Sequence, residues 1–153
     1  MSTFPLTEID RKIITELSTD GRLPYKTLAE RVGIATSTCH SRVQALEKRG
    51  VIRGYRAEID PLAAGQLVSA LILIGVHPMQ RSLVPVIAEE LRAIPGVQQV
   101  FLIGGDKDLI VHVSTESVHS LRKLIAEHIA SKETLTQTQT QIAFEHLTGV
   151  APL

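Results

Sequence analysis

The apolar residues of this chain keep one period up to position 46 and a different one after position 68, which excludes a single uniform architecture. In the first stretch they recur every three or four residues: Ile9, Ile13, Ile14 and Leu17, then Leu28, Ala29 and Val32, then Cys39, Val43 and Leu46. Each run draws one stripe along a helix. From Val68 onward they form short dense runs bounded by glycine and charged turns, with two helical stretches between them. A chain of 153 residues is long enough for two small modules.

Thr7 offers a hydroxyl where the first helix begins, and Asp10 places a carboxylate at the positive end of that helix. Asp20-Gly21-Arg22 breaks the chain, and a second short helix runs from Pro24 to Gly33. Thr36 and Ser37 are the cap candidates of a third helix. Gly50 stands where a left-handed residue would end it, with Val51 and Ile52 expected to be buried next. The alternation over residues 53–59, punctuated by Gly54, predicts a short two-stranded ribbon closing at Asp60-Pro61. Residues 1–60 therefore read as a winged helix-turn-helix domain and residues 61–67 as a linker.

The remainder, residues 68–153, alternates element types. Strands are expected over residues 68–77, 97–103, 109–113 and 135–147, with helices over 82–94 and 117–131. The order β-α-β-β-α-β is the ferredoxin-like arrangement, an antiparallel sheet with both helices on one face. The fold class is α+β. The uncovered sheet face needs a cover, and a second subunit is the simplest one.

On the third helix, if Cys39, Val43 and Leu46 face inward, steps of 100° carry Ser37, Ser41, Gln44 and Lys48 to the opposite side, flanked by Thr38 and His40. These side chains suit base edges and phosphates. Residues 37–56 carry Arg42, Lys48, Arg49, Arg53 and Arg56 against Glu47 alone, a local net charge of +4 in a chain whose formal charge is zero. Double-stranded DNA is the natural partner of such a patch, and solvated surface charge is the plainer use. Arg42 lies beside the apolar stripe, so it suits an internal ion pair as well as a phosphate.

Several segments together resemble the Lrp/AsnC, or feast/famine, family of transcriptional regulators: Ile9-Asp10-Arg11-Lys12-Ile13-Ile14, Asp20-Gly21-Arg22, Leu28-Ala29-Glu30-Arg31-Val32-Gly33, Arg42-Val43-Gln44-Ala45-Leu46-Glu47 and Gly50-Val51-Ile52-Arg53-Gly54-Tyr55. The resemblance continues through the second half, which is similar to the family's effector-binding (RAM-type) domain. It implies a sequence-specific DNA-binding regulator with its helix-turn-helix motif on residues 26–45. It also implies self-association through the C-terminal sheets, as a dimer or a higher oligomer such as an octamer, and control by a small effector, an amino acid in many members.

The turn Gly104-Gly105-Asp106-Lys107-Asp108 joins two strands with residues that suit any hairpin and that also leave backbone groups free to face a small ligand. In the family this turn usually reads Thr/Ser-Gly-x-x-Asp and lines the effector pocket. Gly105 and Asp108 match that pattern, while Gly104 replaces the hydroxyl residue and Lys107 stands where an aromatic is common. The resemblance thus nominates Gly104, Gly105, Asp106 and Asp108 for effector binding. Gln141 and Ala143 join them by position near the end of the last strand. That strand alternates threonine and glutamine from Thr136 to Gln141, which fits an assembly rim, a pocket wall or an exposed edge.

Other classes of function find little support. Cys39 falls on an apolar stripe, where a nucleophile would be buried, and the single cysteine with no signal peptide favours the cytoplasm. The six histidines show no metal-ligand spacing, so neither metal nor cofactor is expected. No acid, base and nucleophile set supports an enzyme. Three Phe, two Tyr and no Trp leave an RNA-recognition sheet without stacking platforms. The longest apolar run, near residues 67–76, is too short to span a membrane. A ligand-independent architectural DNA-binding protein, its C-terminal half serving only oligomerisation, is the alternative to an effector-controlled regulator.

Overall fold

The computed structural model describes residues 5–147 and residue 149. The outermost ends of the two expected domains, residues 1–4 and 150–153, lie outside the described residues. The chain forms two compact units, one reaching Glu58 and the other spanning Ile59–His146.

The first unit holds α1 (Glu8–Thr19), α2 (Tyr25–Val32) and α3 (Thr36–Lys48). Thr7 and Asp10 form a reciprocal capping box at the start of α1, which satisfies two otherwise unpaired amides. Gly33 ends α2 at φ 80° and Gly50 follows α3 at φ 70°, both in the left-handed region that glycine enters without a Cβ clash. Ile13, Leu28, Ala29, Val32, Cys39, Val43 and Leu46 make the core, so each of the three apolar stripes contributes to it. Complete burial of one such aliphatic side chain stabilises the unit by roughly 1.5–3 kcal/mol.

Three local expectations need correction. Residue Ala35 is the N-cap of α3 and gives no side-chain hydrogen bond, because Thr36 and Ser37 already lie within the helix. Val51 is exposed, and only Ile52 packs partly against the core. The ribbon over residues 53–59 does not form: the segment pairs with no other strand among the described residues. Both faces of that segment are exposed, and an isolated two-stranded ribbon without an apolar face is barely stable. What holds the segment is Tyr55, whose hydroxyl donates to Glu47 Oε1 at 3.0 Å and whose ring lies against Gly21.

The second unit contains β1 (Val68–Val76), α4 (Val84–Arg92), β2 (Val97–Leu102), β3 (Leu109–Thr115), α5 (Val118–Ile125) and β4 (Leu135–Ala143). A 3-10 segment, Pro78–Leu83, leads into α4, and a π-helical segment, Ala126–Ala130, extends α5. The sheet order is β2-β3-β1-β4 with every pairing antiparallel, as the ferredoxin-like topology requires. Alternate residues Ala70, Ile72 and Ile74 of β1 and Leu109, Val111 and Val113 of β3 pack with Ile87, Leu91, Leu121 and Leu124 of the helices. The period of two then turns Leu71, Leu73, Ile110 and Phe101 to the opposite face. Among the described residues the helices pack on the other face, and Phe101 on this one is 46% exposed. Strand β4 is polar on both sides, with Gln139 and Gln141 opposite Leu73 and Leu71, and Thr138 and Thr140 opposite Ile74 and Ile72. No helix among the described residues is long and apolar enough to cross a membrane.

Candidate functional site

The stripe Cys39, Val43 and Leu46 is completely or almost completely buried, which fixes how α3 is rotated about its axis. Ser37, Thr38, His40, Ser41, Gln44 and Lys48 are all exposed as a result. Arg49 and Arg53 are exposed as well, at and just beyond the C-terminal end of α3. The nominated side chains therefore share one helix surface and its continuation.

Local contacts divide them. The Ser41 hydroxyl donates to the Ser37 carbonyl at 3.0 Å, a bond that a turn of the side chain exchanges for an outside acceptor. His40 stacks edge-on against Tyr25, the first residue of α2, with ring centroids 4.8 Å apart. That contact ties the start of α2 to the middle of α3 and fixes the angle of the imidazole. Burial, the Glu47 charge and Cys39 push the Tyr25 hydroxyl above its ordinary value, so it remains a neutral donor. Burial also raises the Cys39 thiol, which makes it a core side chain and a poor nucleophile.

Arg42 differs from its neighbours on α3. Its Nη1 donates to Asp10 Oδ1 at 3.0 Å and approaches the Thr7 hydroxyl at 3.4 Å. Asp10 is 5% exposed. Burial pushes its carboxyl up, and hydrogen bonds from Thr7 together with the Arg42 guanidinium outweigh that effect and hold it below its ordinary value. Of the two uses open to Arg42 from the sequence, the internal ion pair is the one formed. The Tyr55 hydroxyl, raised to about 12 by burial and by its bond to Glu47, is a second brace that periodicity could not reveal, because it joins residues eight apart across a turn.

In the second unit, the turn at residues 104–108 sits at the end of the sheet where β1 finishes. Its main chain is closed by Ile103 N–H to the Asp108 carbonyl and Asp108 N–H to the Ile74 carbonyl, each 3.0 Å. The Asp108 carboxylate accepts the Val76 amide at 2.8 Å on one oxygen and meets Arg81 Nε at 3.3 Å on the other. It thereby anchors the irregular end of β1, where the pairing with β4 shifts register between Ile74 and Val76. Arg81, from the 3-10 segment, is a participant that sequence spacing gave no reason to select. Gly105 has φ 137°, and neither it nor Gly104 has other atoms where a Cβ would lie, so the turn presents open space. Asp106 points outward with its side chain 94% exposed.

Gln141 and Ala143 are not gathered at this turn. Gln141 pairs with Leu71 and Ala143 with Ser69, four and six residues along β1 from Gly75, or about 13 Å and 20 Å at the strand rise. The β4 residue that does reach the turn is Gln137, whose Oε1 accepts from Lys107 Nζ at 2.9 Å. Within one subunit, then, the turn and the far end of β4 are separate places.

Two family profiles cover most of the chain: a winged helix-turn-helix DNA-binding domain over residues 6–53 and an Lrp/AsnC ligand binding domain over residues 69–149. The HTH-type transcriptional regulator AldR of Mycolicibacterium smegmatis is 40% identical over 148 residues, covering 97% of this chain and 86% of that protein. A leucine-responsive regulatory protein of Rhizobium meliloti is 31% identical over 142 residues, covering 93% and 91%. Among solved structures, that of the Mycobacterium tuberculosis AldR superposes with a TM-score of 0.82 at 36% identity, covering 96% of this chain and all of that one. A feast or famine regulatory protein of M. tuberculosis, complexed with L-methionine, superposes at 0.84 with 32% identity, covering 95% and 96%.

Proposed function

The chain belongs to the Lrp/AsnC family of DNA-binding transcriptional regulators, and from that premise we propose that α3 reads duplex DNA while the turn at residues 104–108 receives an amino-acid effector. The observation that carries the DNA reading is the rotation of α3. Its buried stripe and the Arg42–Asp10 pair lock the helix in place, leaving Ser37, Thr38, Ser41 and Gln44 to face base edges. Lys48, Arg49 and Arg53 continue that surface toward phosphates.

The protein acts without catalysis, metal or cofactor, in the cytoplasm, and as a homo-oligomer. The open sheet face, with Leu71, Leu73, Ile110 and Phe101, supports self-association, since a second copy would cover these apolar side chains. A dimer presents two α3 helices to two half-sites, and octamers extend the same contact along DNA. The effector changes DNA binding or assembly through unequal affinity for two states. A relative's complex with L-methionine supports an amino acid as the ligand class.

Selection of duplexes from a random library by the full-length protein, followed by anisotropy on the selected and a scrambled duplex, tests the DNA reading. Tight binding to the selected duplex that weakens at least tenfold in Ser41→Ala, with little change on the scrambled one, is the expected result. Equal binding to both duplexes in all variants overturns it.

A further inference from the structure

We propose that the effector is an acidic amino acid and that Lys107 is the residue selecting it, by receiving the carboxylate of the effector side chain. The inference rests on the reading of residues 104–108 as the effector turn and sharpens it from amino acids in general to one charge class.

The two carboxylates of the turn are unequal. Asp108 is already occupied: one oxygen holds the Val76 amide and the other faces Arg81 Nε, and the side chain is only 15% exposed. A ligand cation would have to displace Arg81 to reach it. Asp106 is almost wholly exposed and makes only a loose 3.9 Å ion pair with Lys107, so its carboxylate can turn to meet the α-ammonium group that every amino acid carries.

Lys107 is placed in the opposite way. Its side chain is 12% exposed, so its stem is folded against the protein, yet its ammonium group has only a neutral acceptor at bonding distance, Gln137 Oε1 at 2.9 Å. The nearest carboxylate, Asp106 Oδ2, stands 3.9 Å away, beyond a hydrogen bond. An ammonium group has three donors, and Gln137 accounts for one. The result is a positioned cation whose carboxylate partner, the almost fully exposed Asp106, makes only a loose ion pair at 3.9 Å. Beside it are Gly104 and Gly105, where nothing occupies the space a Cβ would fill.

A ligand carboxylate supplies both an anion at hydrogen-bonding distance and further acceptors, and hydrogen bonds between two ionised groups are stronger than neutral ones. The corresponding amides provide a sharp comparison. L-Asparagine and L-glutamine match the acids in size but carry no charge, and half of the side-chain terminus turns a donor toward a donor. An apolar side chain would leave the ammonium donors not used by Gln137 without acceptors and remove water from them, which is costly.

The experiment uses isothermal titration of the full-length protein with L-aspartate, L-glutamate, L-asparagine, L-glutamine and L-methionine. Variants are Lys107→Met, Lys107→Arg and Gly104→Leu, the last placing a side chain in the open space of the turn. The wild type should bind one of the acids at least tenfold more tightly than its amide. Lys107→Met should abolish that preference and Lys107→Arg restore it, whereas a lysine serving only to brace Gln137 would change thermal stability and leave the ligand order intact. Wild-type binding of methionine or the amides as tight as that of the acids, or an acid preference that survives Lys107→Met, overturns the proposal. If such binding is lost in Gly104→Leu, the effector turn itself still stands. Failure of every amino acid to bind, or binding unaffected by Gly104→Leu, overturns the turn as effector site and the proposal with it.

Discussion

Arg42 of α3 directs its guanidinium at Asp10 of α1, with Nη1 3.0 Å from Oδ1, while the same carboxylate accepts the Thr7 amide through its other oxygen. One acidic side chain therefore caps the first helix and clamps the third. Arg42, the only arginine of α3, is thereby engaged in an internal ion pair rather than left on the exposed surface of the helix.

Removing the clamp should cost stability before it costs binding. Arg42→Ala leaves a buried carboxylate short of a donor and should lower the unfolding free energy by about 1–3 kcal/mol, read from urea denaturation. The salt dependence of DNA binding should stay unchanged, and a drop of about one in its slope would instead make Arg42 a phosphate contact.

Lys48→Ala should do the reverse. Loss of one phosphate contact should reduce the slope of log affinity against log salt by about one, with equal loss on selected and scrambled duplexes. Urea midpoints should coincide with those of the wild type, because Lys48 is exposed.

Acid should weaken the first unit through Asp10. Its carboxyl lies below the ordinary 3.8 in the folded protein, so the stabilisation is complete above that value and is lost as pH falls through the lowered folded value. Asp10→Asn should flatten the acid limb of stability against pH in a series of melts from pH 5 to 2.

His112 should act in a different window. Burial, and next the His146 ring, hold it below the ordinary 6.5, and its Nε2 lies 2.8 Å from the Ser69 hydroxyl. The unfolded chain takes up a proton near pH 6.5 where the folded chain resists one, so stability should decline as pH drops below about 6.5. His112→Gln should remove that decline between pH 7 and 5.5, and an unchanged profile would point to another group.

Gly96 should tolerate no side chain. It has φ 94°, and an added Cβ would lie 3.1 Å from the Ser114 carbonyl oxygen and 3.3 Å from Leu124. Gly96→Ala combines left-handed strain with that crowding and should cost about 1–3 kcal/mol, measured as a lowered thermal midpoint.

The parts of this fold that repeat along the chain were legible in the residues. Ile13, Leu28, Val43 and Leu46 declare a helical core by spacing alone, and the dense apolar runs of β1 and β3 declare strands, but both faces of these strands are apolar and only the fold shows which one meets the helices. Legibility ends where a feature depends on residues distant in sequence. Residues 53–59 have a strand's pattern, but a strand also needs a neighbour, and pattern does not supply one. Nor could spacing show that Tyr25 stacks on His40, or that Asp108 is bound by Val76 and Arg81 from 32 and 27 positions upstream. The aspartate was found through its turn, and its attachment only through the fold.

That attachment has a mechanical side. Asp108 grips the tip of β1 with one oxygen and the 3-10 segment preceding α4 with the other, so the turn has no slack of its own. Whatever displaces it acts on the end of a central strand and on the approach to α4 together.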